Sequence, residues 1–141
     1  MIDLDNRTNK NYNFETLEDI ASSFTPLEIE LILTNNTEIA QINLEFRGID
    51  KPTDVLSFPT DPFPGAPLGT IIISVDKVEE VAIQLGHSEN DEFSLLFIHG
   101  LLHLLGMDHE TDNGEMRTQE ERIVRAFNLP LSLIVRTQGL D

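Results

Sequence analysis

Gly69-Thr70-Ile71-Ile72-Ile73-Ser74-Val75 is the stretch that decides the fold. Side chains alternate across a strand, so three consecutive isoleucines cannot share one face. A strand here must be covered on both sides. Upstream, residues 59–67 hold Pro59, Pro62, Pro64, Pro67 and Gly65, which makes them a loop. Downstream, Ser74 stands at the N-cap position of a helix with Val78, Ala82 and Leu85 inward and Gly86 at its end.

The same periodicities organise the rest of the chain. Residues 28–34 alternate, with Ile29, Leu31 and Leu33 on one face, and predict a strand. Val55-Leu56-Ser57-Phe58 predicts a shorter one. Phe14, Leu17, Ile20, Ala21 and Phe24 recur at helical spacing, with Asn13 as N-cap and Pro26 beyond the end. A second helix opens at Asn35 or Asn36 and carries Ile39, Ile42 and Phe46. Residues 90–105 form a long apolar helix closed by Gly106. Residues 115–127 form the last, through Met116, Ile123, Val124 and Phe127, ended by Asn128 and Pro130. Leu131, Leu133 and Val135 offer either a further strand or a surface-docked tail, so residues 131–141 stand as a C-terminal extension. Five helices and a small mixed sheet make an α+β fold, read as a single domain over residues 1–141.

Composition narrows the function classes. The 141 residues are 40% hydrophobic and 24% charged, an ordinary globular balance. Cysteine is absent, which removes thiolate nucleophiles, iron–sulfur clusters and cysteine-based zinc sites. No apolar run reaches the roughly 18 residues of a membrane span. The N-terminus lacks a basic-then-apolar leader, so the expected location is the cytoplasm. Nine Lys and Arg against 25 Asp and Glu leave a net charge of −16. That field opposes nonspecific binding to nucleic acid or anionic membrane, and favours basic protein partners. A nucleic-acid site would have to be locally positive.

The chemistry concentrates in His99-Gly100-Leu101-Leu102-His103-Leu104-Leu105-Gly106-Met107-Asp108-His109. His99 and His103 are four apart and share one helix face. Gly106 can take the left-handed conformation that ends a helix and turns the chain back. That reversal would bring His109 toward the first two rings. Three imidazoles would then hold one cation. Zinc fits imidazole ligands best, with nickel, iron or copper possible. Three protein ligands plus a water is the catalytic arrangement, whereas structural zinc is usually closed by four. The spacing matches the ligand skeleton of metzincins, but their general-base glutamate is replaced by Gly100. His87 lies outside the motif and reads as a solvated loop residue rather than a fourth ligand. Asp108, Asp54 and Ser57 are candidates to orient the rings.

The second dense stretch runs from Phe46 to Pro59. Arg47 and Lys51 are two of the nine cations. A guanidinium binds phosphate bidentately and stays charged at any working pH. Facing the metal, Arg47 would make a positive pocket in an acidic protein; taken alone, it reads more readily as an exposed helix-end arginine. Thr53 and Asp54 serve as well as turn or capping residues.

Together the two stretches resemble the YbeY family of bacterial ribosomal-RNA maturation factors. The family hallmark, His-Gly-x-Leu-His-Leu-x-Gly-x-Asp-His, is met at every fixed position by residues 99–109. Its upstream signature is matched by Asn43, Arg47 and the run Thr53-Asp54-Val55-Leu56-Ser57-Phe58-Pro59. A Gly-Asp-Ile strand is matched by Gly69 and Ile71, with Thr70 in place of the aspartate. The helix after the motif is matched by Met116 and Glu121, and the resemblance spans residues 28–128. It implies one zinc held by His99, His103 and His109, a functional arginine at Arg47, and a mixed four-stranded sheet. The implied activity is single-strand-specific endoribonuclease cleavage that matures the 3′ end of small-subunit (16S) rRNA and serves ribosome quality control. The implied partners are single-stranded rRNA and the small ribosomal subunit with its proteins. Around this reading, Arg47 is the catalytic candidate, and Lys51 and Ser57 are candidates for substrate binding. Two alternatives share the residues: a noncatalytic ribosome-assembly factor, and a metal-dependent peptide or amide hydrolase.

Overall fold

The computed structural model describes residues 1–130. Its elements are β1 (Ile2–Asn6), α1 (Phe14–Ser22), β2 (Ile29–Thr34), α2 (Asn36–Arg47), β3 (Val55–Pro59), β4 (Gly69–Ser74), α3 (Val75–Leu85), α4 (Glu89–Leu104) and α5 (Glu115–Ala126). The strands form one sheet in the order β1-β2-β4-β3. β1, β2 and β4 are parallel, and β3 runs antiparallel to β4 at the edge. The expected α+β architecture, with five helices and four mixed strands, is therefore observed among the described residues. The possible strand at 131–135 lies outside the described residues.

The isoleucine triplet is divided as the pleat requires. Ile71 and Ile73 join the larger core with Leu31, Leu33 and Phe97, while Ile72 joins a smaller one with Ile39 and Leu56. Helix α2 thus covers one face of the sheet and α4 the other. Nearly every position of α4 from Glu92 to Leu104 is buried, as expected of a helix apolar on all sides.

Local signals account for most boundaries. Asn13 and Asn35 accept from the backbone N–H of Thr16 and Glu38, as N-caps do. Ser74 occupies the N-cap position of α3 without capping it; its hydroxyl donates instead to Asn36 Oδ1 at 2.8 Å. β1 has no counterpart in the sequence reading. Ile2 and Leu4 do alternate with Asp3 and Asp5, but the run is short and aspartate is a poor strand former; the strand exists because its backbone pairs with β2 from Ile2↔Ile29 to Asn6↔Leu33.

Candidate metal centre

Three elements converge on the site. Helix α4 presents His99 and His103 one turn apart. Gly106 sits just past its end with φ of 90°, a conformation that a Cβ disfavours, and the chain reverses there. His109 arrives on the returning segment. One ring nitrogen from each of the three histidines lies within 4.8 Å of the others. His99 Nε2 and His103 Nε2 are 3.2 Å apart. A tetrahedral ion with nitrogen bonds of 2.0–2.1 Å has ligand edges of about 3.3 Å. His109 Nδ1 is buried and has no hydrogen-bond partner. Close-set imidazole nitrogens and an orphaned buried one fit a resident cation.

The third element is α5. Glu120 is fully buried, and its Oε2 lies 3.0 Å from His99 Nδ1. With Nδ1 donating to that carboxylate, Nε2 presents its lone pair to the site. Glu120 is absent from the sequence reading, which matched Glu121 to the family helix. Glu121 instead pairs with Arg117 at 3.2 Å on the outer side. A signal was available: Met116, Glu120 and Ile123 follow helical spacing, and all three are buried. A carboxylate on an apolar face needs a partner.

Asp108 and Asp54 both line the cleft, but their carboxylates are engaged locally. Asp108 accepts from the Glu110 backbone N–H at 3.0 Å, and Asp54 from that of Val55 at 2.8 Å. Ser57 donates to the Gly100 carbonyl at 3.1 Å, tying β3 to α4. His87 is not solvated. It is mostly buried and its Nε2 lies 2.8 Å from Glu92 Oε1, away from the triad.

Gly100 explains the absent metzincin base. A Cβ there would lie 3.0 Å from Ser57 Oγ, 3.1 Å from Ile71 Cγ2 and 3.3 Å from Val55 Cγ2. The helix backbone rests close against the sheet, so a side chain there must push its neighbours aside. Gly100→Glu is expected to destabilise the fold by roughly 3 kcal/mol or more, from overpacking and a desolvated carboxylate. Urea denaturation of the variant beside wild type measures it.

Burial, reinforced by the neighbouring His99 and His109, holds His103 below its ordinary value of 6.5. A neutral ring is the form that binds a metal. The unfolded chain takes up this proton at a higher pH than the folded chain does. The metal-free fold should therefore lose stability as pH falls from 6.5 toward the lowered value. Denaturant midpoints of metal-free protein above and below that window check the sign.

The three rings open into a cleft of about 610 Å³ that wraps the edge strand β3. Arg47, the last residue of α2, lines it together with Ser57 and Phe58. Among the described residues no carboxylate pairs with Arg47. Asn43 steadies the turn that follows: it is buried, and its Nδ2 donates to the Lys51 carbonyl at 2.9 Å. Lys51 itself is exposed and does not line the cleft. Asp54, Asp108 and Glu110 are on the lining too, so the cleft becomes favourable to a phosphate only with a cation at the histidines.

The family model described as Endoribonuclease YbeY matches residues 3–128. The chain belongs to this family. The YbeY match extends ahead of residue 28, across β1 and α1. An Endoribonuclease YbeY of Sulfurimonas denitrificans is 60% identical over 139 residues, covering 99% of this chain and all of that protein. One from Nautilia profundicola is 56% identical over 138 residues, covering 98% and 99% of the two chains. One from Helicobacter pylori is 51% identical over 139 residues, covering 98% and 99%. Among solved structures, the solution structure of TM1509 from Thermotoga maritima aligns with a TM-score of 0.63 at 32% identity. It covers 88% of this chain and 87% of that one.

Proposed function

We propose that this protein is a metal-dependent endoribonuclease of ribosome biogenesis that cuts single-stranded rRNA, including the 3′ end of 16S rRNA, in the cytoplasm. The observation that carries the reading is that the histidine triad and Arg47 line one open cleft. His99, His103 and His109 would hold one ion, with zinc the best match to three imidazoles. When bound, the ion supplies Lewis acidity toward a phosphoryl oxygen and lowers the pKa of a coordinated water.

The chain's own residues do the rest. Arg47 grips the scissile phosphate with two parallel N–H donors and stabilises the charge that builds on its oxygens. Glu120 keeps the His99 ring in one orientation and tautomer. Ser57 lines the cleft and, with its proton given to the Gly100 carbonyl, retains acceptor capacity for a sugar hydroxyl. Lys51, outside the lining, adds only a distant positive charge. Asp108 and Asp54 shape the turn and the strand start that border the rings. Small-subunit proteins, which are basic, would offset the −16 charge when the substrate is the ribosomal particle. No helix among the described residues is long and apolar enough to cross a membrane.

The peptide-hydrolase alternative is disfavoured by Gly100, which lacks the base and where a glutamate would crowd Ser57, Ile71 and Val55. The test is cleavage of rRNA carrying a single-stranded 3′ tail, beside the same tail annealed into a duplex. Cutting of the free tail alone, abolished by chelator and restored by metal, is expected. One bound metal per chain with no cutting of free RNA or of small subunits would favour the noncatalytic assembly factor.

A further inference from the structure

Phe46 does not take the inward position that its helical spacing predicts. Ile39 is buried and Ile42 packs on the smaller core, but Phe46 is 63% exposed. Its ring meets that of Phe58, with centroids 5.2 Å apart and planes at 56°. Phe58 belongs to edge strand β3 and is held from below by the core around Ile72. It also lines the cleft, as does Arg47, the residue next to Phe46. One exposed aromatic ring therefore abuts a second, anchored ring at the rim of the cleft, beside a cation without a carboxylate partner among the described residues. Through Phe58 the apolar surface shares the cleft with the group best suited to hold a phosphate, and a nucleotide presents that pair of chemistries together: a flat π-face and an anionic oxygen cluster.

We propose that Phe46, backed by Phe58, is a stacking platform for one unpaired nucleobase next to the phosphate held by Arg47. The proposal rests on the ribonuclease reading and deepens it. Every base has a π-face, so the platform is tolerant of sequence. A base within an A-form duplex is stacked on its neighbours and does not present that face. Selection for single strands then comes from this subsite rather than from charge, which an acidic chain supplies poorly.

Stacking present both before and during the reaction strengthens binding without changing the chemical step. Phe46→Ala should raise KM for a short single-stranded oligoribonucleotide by about 5- to 100-fold, with kcat nearly unchanged. Phe46→Leu keeps apolar bulk but loses the π-face, and should resemble Ala. The chain has no tryptophan, so Phe46→Trp introduces a single reporter. Its fluorescence should be quenched by the oligoribonucleotide, and not by an abasic ribose-phosphate strand of the same length. Ile83→Ala, an exposed site on α3 outside the cleft lining, should leave KM as in wild type. An unchanged KM in Phe46→Ala overturns the platform while leaving the ribonuclease reading intact. So does unchanged tryptophan emission while polarisation of labelled RNA reports binding. Wild type that neither binds nor cuts RNA overturns both.

Discussion

Arg47→Ala is expected to lower kcat/KM on single-stranded RNA by about 100- to 1,000-fold, the usual loss when one preorganised donor to a developing oxyanion is removed. Metal content and melting temperature should stay as in wild type. The residue is exposed at the end of α2, and its contribution to stability is limited to the helix-dipole term, about 0.3–1 kcal/mol. Arg47→Lys restores the charge but not the bidentate fork, so it should recover only part of the rate. Initial rates on a 3′-tailed rRNA fragment measure both. Equal rates in wild type and Arg47→Ala would remove the residue from the site and point to a contaminating ribonuclease.

His103→Ala has the larger effect. It removes one of three rings whose nitrogens lie within 4.8 Å of each other, and two imidazoles do not make a stoichiometric site at micromolar metal. Bound metal should fall from one per chain to none, and chelator-sensitive cleavage should vanish. Added zinc should raise the melting temperature of metal-free wild type, because a ligand that binds only the folded state stabilises it. It should leave that of His103→Ala unmoved. Glu120→Gln should be intermediate, since it keeps a hydrogen-bonding group beside His99 but loses the charge. A loss of about 10- to 100-fold in metal affinity is typical for such supporting groups.

The sequence made much of this legible, because local rules and tertiary demands agreed. Ile71, Ile72 and Ile73 required cover on both faces of β4, and the two cores provide it. The interval from His103 to Gly106 to His109 required a reversal, and Gly106 makes it. What was not legible depended on partners distant in the chain. β1 is an edge strand: Ile2 and Leu4 alternate with Asp3 and Asp5, but over only five residues, nearly all exposed, so the signal is weak without β2 beside it. Glu120 rather than Glu121 meets His99 because it shares the buried face of α5 with Met116 and Ile123; the spacing carries that face, but not which residue of α4 it meets. The exposure of Phe46 depends on how α2 lies on the sheet, which its spacing from Ile39 and Ile42 does not encode. Gly100 signalled a missing base in the sequence; only the packing of Ser57, Ile71 and Val55 shows that a side chain there would be crowded.

The central claim is that three histidines hold one ion and leave it open to substrate. X-ray absorption on protein isolated with its native metal, paired with elemental analysis, tests this directly. The account predicts one ion per chain, with three imidazole nitrogens at about 2.0–2.1 Å and at least one further oxygen ligand from solvent. No stoichiometric ion, or an ion closed by a fourth protein ligand, would contradict it.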